Sequence, residues 1–203
     1  MTVTHLEILV EEPSAEAALN AFLSRQLTEL SFDIHAHNGK HDLLRKLPQR
    51  LIGYSKWLPD SARIIVLVDR DDDDCELLKG TLERAASDAR LVTRSSRRKR
   101  FQLANRIAIE ELEAWFFGDW EAVTTAFPRA PRNIPNKAGF RDSDAIAGGT
   151  WEALERILRS AGYMEGGLRK IEAARTIAQF MEPSRNTSHS FRHFWNVLTD
   201  SIS

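Results

Sequence analysis

The densest chemistry in the chain lies where five apolar residues, Ile64 to Val68, run straight into Asp69-Arg70-Asp71 and then Asp72, Asp73 and Asp74. Carboxylates crowded this closely repel one another, and a divalent cation relieves the repulsion. Glu11 closes an earlier apolar run, His5 to Val10. If the two runs are neighbouring parallel strands, Glu11, Asp69 and Asp71 share one rim, with Asp71 pointing the same way as Asp69 from an extended backbone. Hard oxygen ligands of that kind suit Mg²⁺ or Mn²⁺. A calcium loop fits poorly, because counting from Asp69 or Asp72 gives no glycine at the sixth position. His35, His37 and His41 have no ligating cysteine nearby and do not make a structural zinc set. Cys75 adjoins aspartates that disfavour its thiolate, which argues against a nucleophile.

These groups need a scaffold that brings distant strand ends together. The Ile64 to Val68 run has no polar alternation, as expected of a strand covered on both faces. Along the first half, strands are expected at 5–10, 32–37, 64–68 and 91–93. Helical patterns begin at Pro13-Ser14, before Leu43 and before Leu77, with Ser14 as a cap and Pro48 bending or dividing the second helix. Such alternation predicts a mostly parallel sheet flanked by helices, an α/β fold, because parallel steps need crossovers. Ligand sites in these sheets lie outside the carboxyl ends of the strands. Beyond residue 100 the pattern predicts a possible strand over 101–109 and helices over 110–117, 120–127, 150–161, 168–181 and 190–198. A loop rich in Pro, Gly, Asn and Asp lies between Pro128 and Gly149. The division expected is an α/β domain over 1–127 and a loop and helical extension over 128–203, packed as one compact unit.

Composition narrows the classes. The 203 residues carry a formal net charge of -1, which excludes binding nucleic acid by bulk positive charge. One cysteine excludes an internal disulfide and fits a reducing compartment. No stretch approaches the ~20 apolar residues of a membrane span, and no basic-then-apolar leader opens the chain, so a soluble cytoplasmic protein is the expectation. Arg94, Arg97, Arg98, Lys99 and Arg100 form the densest basic cluster; it reads as a phosphate-contacting patch or equally as a solvated loop. Glu110, Glu111 and Glu113 suit the positive end of a helix dipole as well as they suit ligation. Trp115-Phe116-Phe117 at helical spacing reads as core before it reads as a base-stacking platform.

A glutamate closing the first strand in Val10-Glu11-Glu12-Pro13-Ser14, with Asp-x-Asp closing a later one in Val68-Asp69-Arg70-Asp71, resembles the Toprim domain of topoisomerases, bacterial primases and overcoming-lysogenisation-defect nucleases. A narrower resemblance covers nearly the whole chain. Ile109-Glu110-Glu111-Leu112-Glu113-Ala114-Trp115 followed by Asp119, then Leu168-Arg169-Lys170 and Ser190-Phe191, is similar to the bacterial domain-of-unknown-function family 4276, regarded as Toprim-like. The resemblance implies Glu11 as metal-linked glutamate or general acid/base and Asp69 and Asp71 as metal ligands. It implies Glu16, Glu113 and Asp119 as candidates for a second metal or outer-shell roles, and Lys170 as the cation facing the transferring phosphoryl group. Where Toprim motifs carry glycine after the first glutamate, this chain has Glu12, which works against close phosphate approach and offers another ligand instead.

The activity implied is Mg²⁺- or Mn²⁺-dependent hydrolysis of phosphodiester bonds in DNA or RNA, with Arg97, Arg98, Lys99 and Arg100 as backbone contacts. The implied setting is bacterial anti-phage defence beside a separately encoded ATPase, since the chain has no Walker loop of its own. Topoisomerase and primase activities need domains that 203 residues with one cysteine do not supply. Two alternatives stay open: a non-catalytic module that binds nucleic acid or an ATPase partner, and a phosphotransfer enzyme acting on a small nucleotide.

Overall fold

The computed structural model describes residues 2–96, 100–163, 166 and 169–202. Its first part alternates β1 (His5–Val10), α1 (Pro13–Gln26), β2 (Ser31–Ala36), α2 (Lys40–Trp57), β3 (Ala62–Asp69), α3 (Cys75–Asp88) and β4 (Leu103–Ala108). The four strands form one all-parallel sheet in the order β2-β1-β3-β4, as the alternation predicts. The connection from β1 steps outward to β2, and the next crossover returns past β1 to β3. The β1/β3 boundary is therefore the topological switch point, where the loops diverge and leave a crevice.

Both faces of the sheet are covered, which explains the unbroken apolar run of β3. On one face Ile64, Val66 and Val68 meet Leu43, Leu47 and Leu51 of α2 and Leu78 and Leu82 of α3. On the other, Leu6, Ile8, Val10, Ile65 and Leu67 join α1 and the C-terminal helices: α4 (Ala114–Gly118), α5 (Trp120–Ala126), α6 (Thr150–Ser160), α7 (Lys170–Ala178) and α8 (His189–Ile202). This second cluster draws on residues from both 1–127 and 128–203, with α7 packed on α1. Trp115, Phe116 and Phe117 lie wholly inside it, and the rings of Phe191 and Phe194 stand 5.3 and 5.0 Å from Trp115.

Three local expectations fail for identifiable reasons. Pro48 does not divide α2, which runs unbroken through it. Four buried residues on that helix, at about 1.5–3 kcal/mol each, outweigh the roughly 3 kcal/mol cost of an interior proline. Residues 91–93 make no strand; Thr93 forms an isolated bridge to Leu103, and the place beside β3 belongs to β4. Ser14 does not cap α1. The cap position is Glu12, and Ser14 Oγ donates back to Glu12 Oε1 at 2.8 Å. Among the described residues, no helix is long and apolar enough to cross a membrane.

Candidate metal centre

β1 and β3 are hydrogen-bonded neighbours, so Glu11 and Asp69 meet at their carboxyl ends. The Asp69 N–H donates to Glu11 Oε1 at 2.7 Å, which locks the glutamate across the switch point. Asp71 lies one turn further on, but not in extended register: its φ of 48° marks a left-handed turn that ends the strand. The turn is held by Arg70 N–H to Ala108 O and Asp71 N–H to Glu110 O, at 2.8 and 2.9 Å. Glu110, also left-handed at φ 61°, pairs with Arg70. Two such conformations in facing loops are strain of the kind that concentrates at functional sites.

Glu113 reaches the same edge from the turn before α4. It is 1% exposed, caps nothing, and its Oε2 has no hydrogen-bond partner among the described residues. Glu113 does stand at the N-terminus of α4, as the dipole explanation expects, but without a capping hydrogen bond, whereas Glu111 serves another helix, accepting from Thr150 Oγ1 and Trp151 N–H at the start of α6. The neighbouring Trp115 donates from Nε1 to Ser190 Oγ at 3.0 Å and packs on Phe191, so the aromatic part of the Glu-Ala-Trp motif anchors the loop that aims Glu113.

Lys170, the first residue of α7, places Nζ 2.5 Å from Glu12 Oε1 and 3.5 Å from Glu113 Oε1, over the face of Trp151. Lys40, which the sequence reading passed over, opens α2 just beyond the carboxyl end of β2. Its Nζ donates to Asp71 Oδ2 (2.7 Å), Asp73 Oδ2 (2.7 Å) and Arg70 O (3.0 Å). Gly39 before it was a local signal for a helix start, though not for which strand end that start faces. Asp72 is exposed, and Asp74 caps α3 through Glu76 and Leu77 N–H.

The carboxylates gathered at this edge perturb one another's protonation. Burial pushes the Glu11 carboxyl up to about 7, aided by Asp71 and Glu12 and opposed by the Asp69 N–H and Lys40. Burial likewise takes Glu113 to about 7, with Lys170 opposing. Asp69 is driven well above the carboxylate range by burial, then by Glu11, Glu113 and Asp71. Burial pulls the Lys170 ammonium down, but Glu113 and Glu12 outweigh it and hold its pKa high. An orphaned buried oxygen amid carboxylates from three loops is chemistry that could hold a hard divalent cation.

Other expected site residues lie elsewhere. Glu16 lines a groove between α1 and α7 beside Ile171, Arg175 and Gln179. Asp119 is buried and already saturated: Oδ1 accepts from Arg185 Nε (3.1 Å) and Ala122 N–H (3.4 Å), Oδ2 from Glu182 N–H (2.8 Å) and Arg185 Nη2 (3.1 Å). It ties α5 to the segment after α7 and has no lone pair to spare for a metal. Asp119→Ala should therefore cost about 2 kcal/mol by leaving the Glu182 N–H and one side of Arg185 without their acceptor and lower the thermal midpoint, while Mn²⁺ binding by calorimetry stays intact. Lost metal binding in a folded Asp119→Ala variant would return it to the site.

Arg97, Arg98 and Lys99 lie outside the described residues. Arg100 sits with Arg63, Phe101 and Asp60 at the amino ends of the strands, across the sheet from Asp69, so it does not share a phosphate with the acidic edge. Arg94 is paired with Asp200 at 2.8 Å.

Fold and site together define a doubly wound α/β protein with a buried carboxylate cluster at its switch point. The chain belongs to the family Domain of unknown function (DUF4276), which matches residues 10–199. No curated protein and no solved structure matches it.

Proposed function

We propose that the chain is a Mg²⁺- or Mn²⁺-dependent, Toprim-like phosphodiesterase acting on DNA or RNA. The observation that carries this reading is the convergence of Glu11, Asp69 and Glu113 with one carboxylate oxygen left unpartnered among the described residues. Glu11, Asp69, Asp71 and Glu113 would hold the cation. When bound, it supplies the charge that acidifies a water molecule and offsets negative charge building on the phosphate. Burial raises Glu11 to about 7 in the metal-free protein; it would either give up that proton to ligate the cation or, where Asp69, Asp71 and Glu113 hold the cation, serve as the general acid or base. Lys170, kept charged by Glu12 and Glu113, would face a non-bridging phosphate oxygen. Lys40 neutralises Asp71 and Asp73 until a cation competes for them. A role in phage defence beside an ATPase encoded separately is part of the same proposal, resting on family resemblance alone.

The test is cleavage of single- and double-stranded DNA and RNA by purified protein with Mn²⁺ or Mg²⁺, with a chelator control. Glu11→Gln is expected to lose both cutting and the calorimetric Mn²⁺ signal. Wild-type Mn²⁺ binding without cleavage of any substrate would leave a non-catalytic metal module; cutting undiminished by Glu11→Gln would end the catalytic assignment.

A further inference from the structure

A second cluster of ligand atoms lies on β1 and β2, on the α2 face of the sheet and toward its amino end. His5, Glu7, Asp33 and His35 all point to this face, since β1 and β2 pair His5 with Ser31, Glu7 with Asp33 and Leu9 with His35. His5 Nε2 lies 3.4 Å from Glu7 Oε1 and 3.8 Å from Asp33 Oδ2, and three such atoms fall within 4.8 Å of one another. Ligands around tetrahedral zinc, at bonds of about 2.0–2.1 Å, stand roughly 3.3 Å apart.

The tautomer of His5 can be deduced from its neighbours. Ser31 Oγ donates its one proton to Thr4 O at 2.9 Å, so it must accept from His5 Nδ1 at 2.8 Å. Nδ1 therefore carries the proton, and in the neutral ring Nε2 presents a lone pair to two carboxylate oxygens. Three electron-rich atoms facing one another need a positive centre between them. The surroundings match those of a metal ligand set: Ser31 fixes the imidazole. His35 Nε2 (2.6 Å) and Tyr54 O–H (2.9 Å) both hold Glu7 Oε2, leaving Oε1 to face His5 Nε2. Glu7 is buried and Asp33 exposed, so a fourth position would open to solvent. Borderline imidazole-carboxylate donors favour a first-row transition metal over Mg²⁺.

We infer that His5, Glu7 and Asp33 form a zinc-class site that clamps the edge strand β2 onto β1, separate from the acidic edge. The histidines named in the sequence do not form it: His37 Nδ1 is bonded to Val10 O at 2.9 Å, and His35 acts only through Glu7.

The experiment is titration of chelator-stripped full-length protein with Zn²⁺ by calorimetry, and with Co²⁺ by its visible absorption. Wild type and Asp69→Asn should each show one tetrahedral Co²⁺ equivalent that excess Mg²⁺ does not displace. His5→Ala and Asp33→Asn should lose it, and Ser31→Ala should bind about 10–100-fold more weakly. Zn²⁺ should raise the melting temperature of wild type but not of Asp33→Asn, whose exposed position keeps the fold intact if His5→Ala misfolds. The inference is overturned if wild type binds no Zn²⁺ or Co²⁺, in which case a protonated imidazole fills the gap. It is equally overturned if binding survives in Asp33→Asn or disappears only in Asp69→Asn.

Discussion

Asp69→Asn is expected to abolish metal-dependent cleavage while making the metal-free protein harder to melt. Asp69 is pressed by burial and by Glu11, Glu113 and Asp71, with Lys170 as the main opposing charge. An amide keeps the shape, removes the charge and leaves the Asp69 N–H bond to Glu11 in place. Relief on the order of 1–2 kcal/mol, at about 2–4 °C per kcal/mol for a chain of this size, would raise the midpoint by roughly 2–8 °C. Under the proposed mechanism the same substitution would also remove a central cation ligand. Metal charge stabilisation of several kcal/mol corresponds to about 10³ or more in rate. Scanning calorimetry in chelator and a cleavage time course with Mn²⁺ read the two effects separately. A variant that cuts at the wild-type rate would dispose of the metal mechanism; one that is less stable would show that Asp69 is needed for packing.

The second large effect is pH dependence, tested through Glu113→Gln. The Glu113 pKa rises from an ordinary 4.5 to about 7, so between those values the folded protein holds a proton that the unfolded chain has released. The stabilisation is therefore complete below about pH 4.5 and is lost as pH climbs through 7, a change on the order of 3 kcal/mol for one such group. Urea unfolding of chelated wild type should show this loss between pH 5 and pH 8. Glu113→Gln, which cannot ionise, should remove one group's share of the slope. Cation binding at the proposed site would work in the opposite direction, because the metal would displace protons from Glu113, Glu11 and Asp69. Mn²⁺ affinity should climb roughly tenfold per pH unit for each proton displaced. Equal pH slopes in Glu113→Gln and wild type, by both measurements, would mean that Glu113 is not the titrating group.

The parallel sheet was legible because its signals are local: apolar runs bounded by turn residues, with helical spacing between them. Glu11 and Asp69 could be paired because each ends such a run, and strand ends are where a parallel sheet collects its loops. Asp71 shows the limit of that reasoning. Alternation holds only while the strand continues, and nothing in a run of aspartates reveals where the chain turns left-handed. Lys40 and the His5-Glu7-Asp33 group depend on which strands are neighbours, and strand order is not encoded in periodicity. Asp119 failed for a related reason: its carboxylate looks like any other until Arg185, distant in sequence, is seen to occupy it.

The position of Lys170 also orders events during synthesis. Glu11, Glu12, Asp69 and Glu113 all emerge from the ribosome before it, and the ammonium that reaches Glu12 and Glu113 arrives with α7. At ~5–20 residues per second, the stretch from Glu113 to Lys170 takes several seconds to translate. Throughout that interval the nascent chain has an acidic edge without this counter-charge and an α1 face without its partner helix. The acidic edge thus waits for α7 to supply its counter-charge.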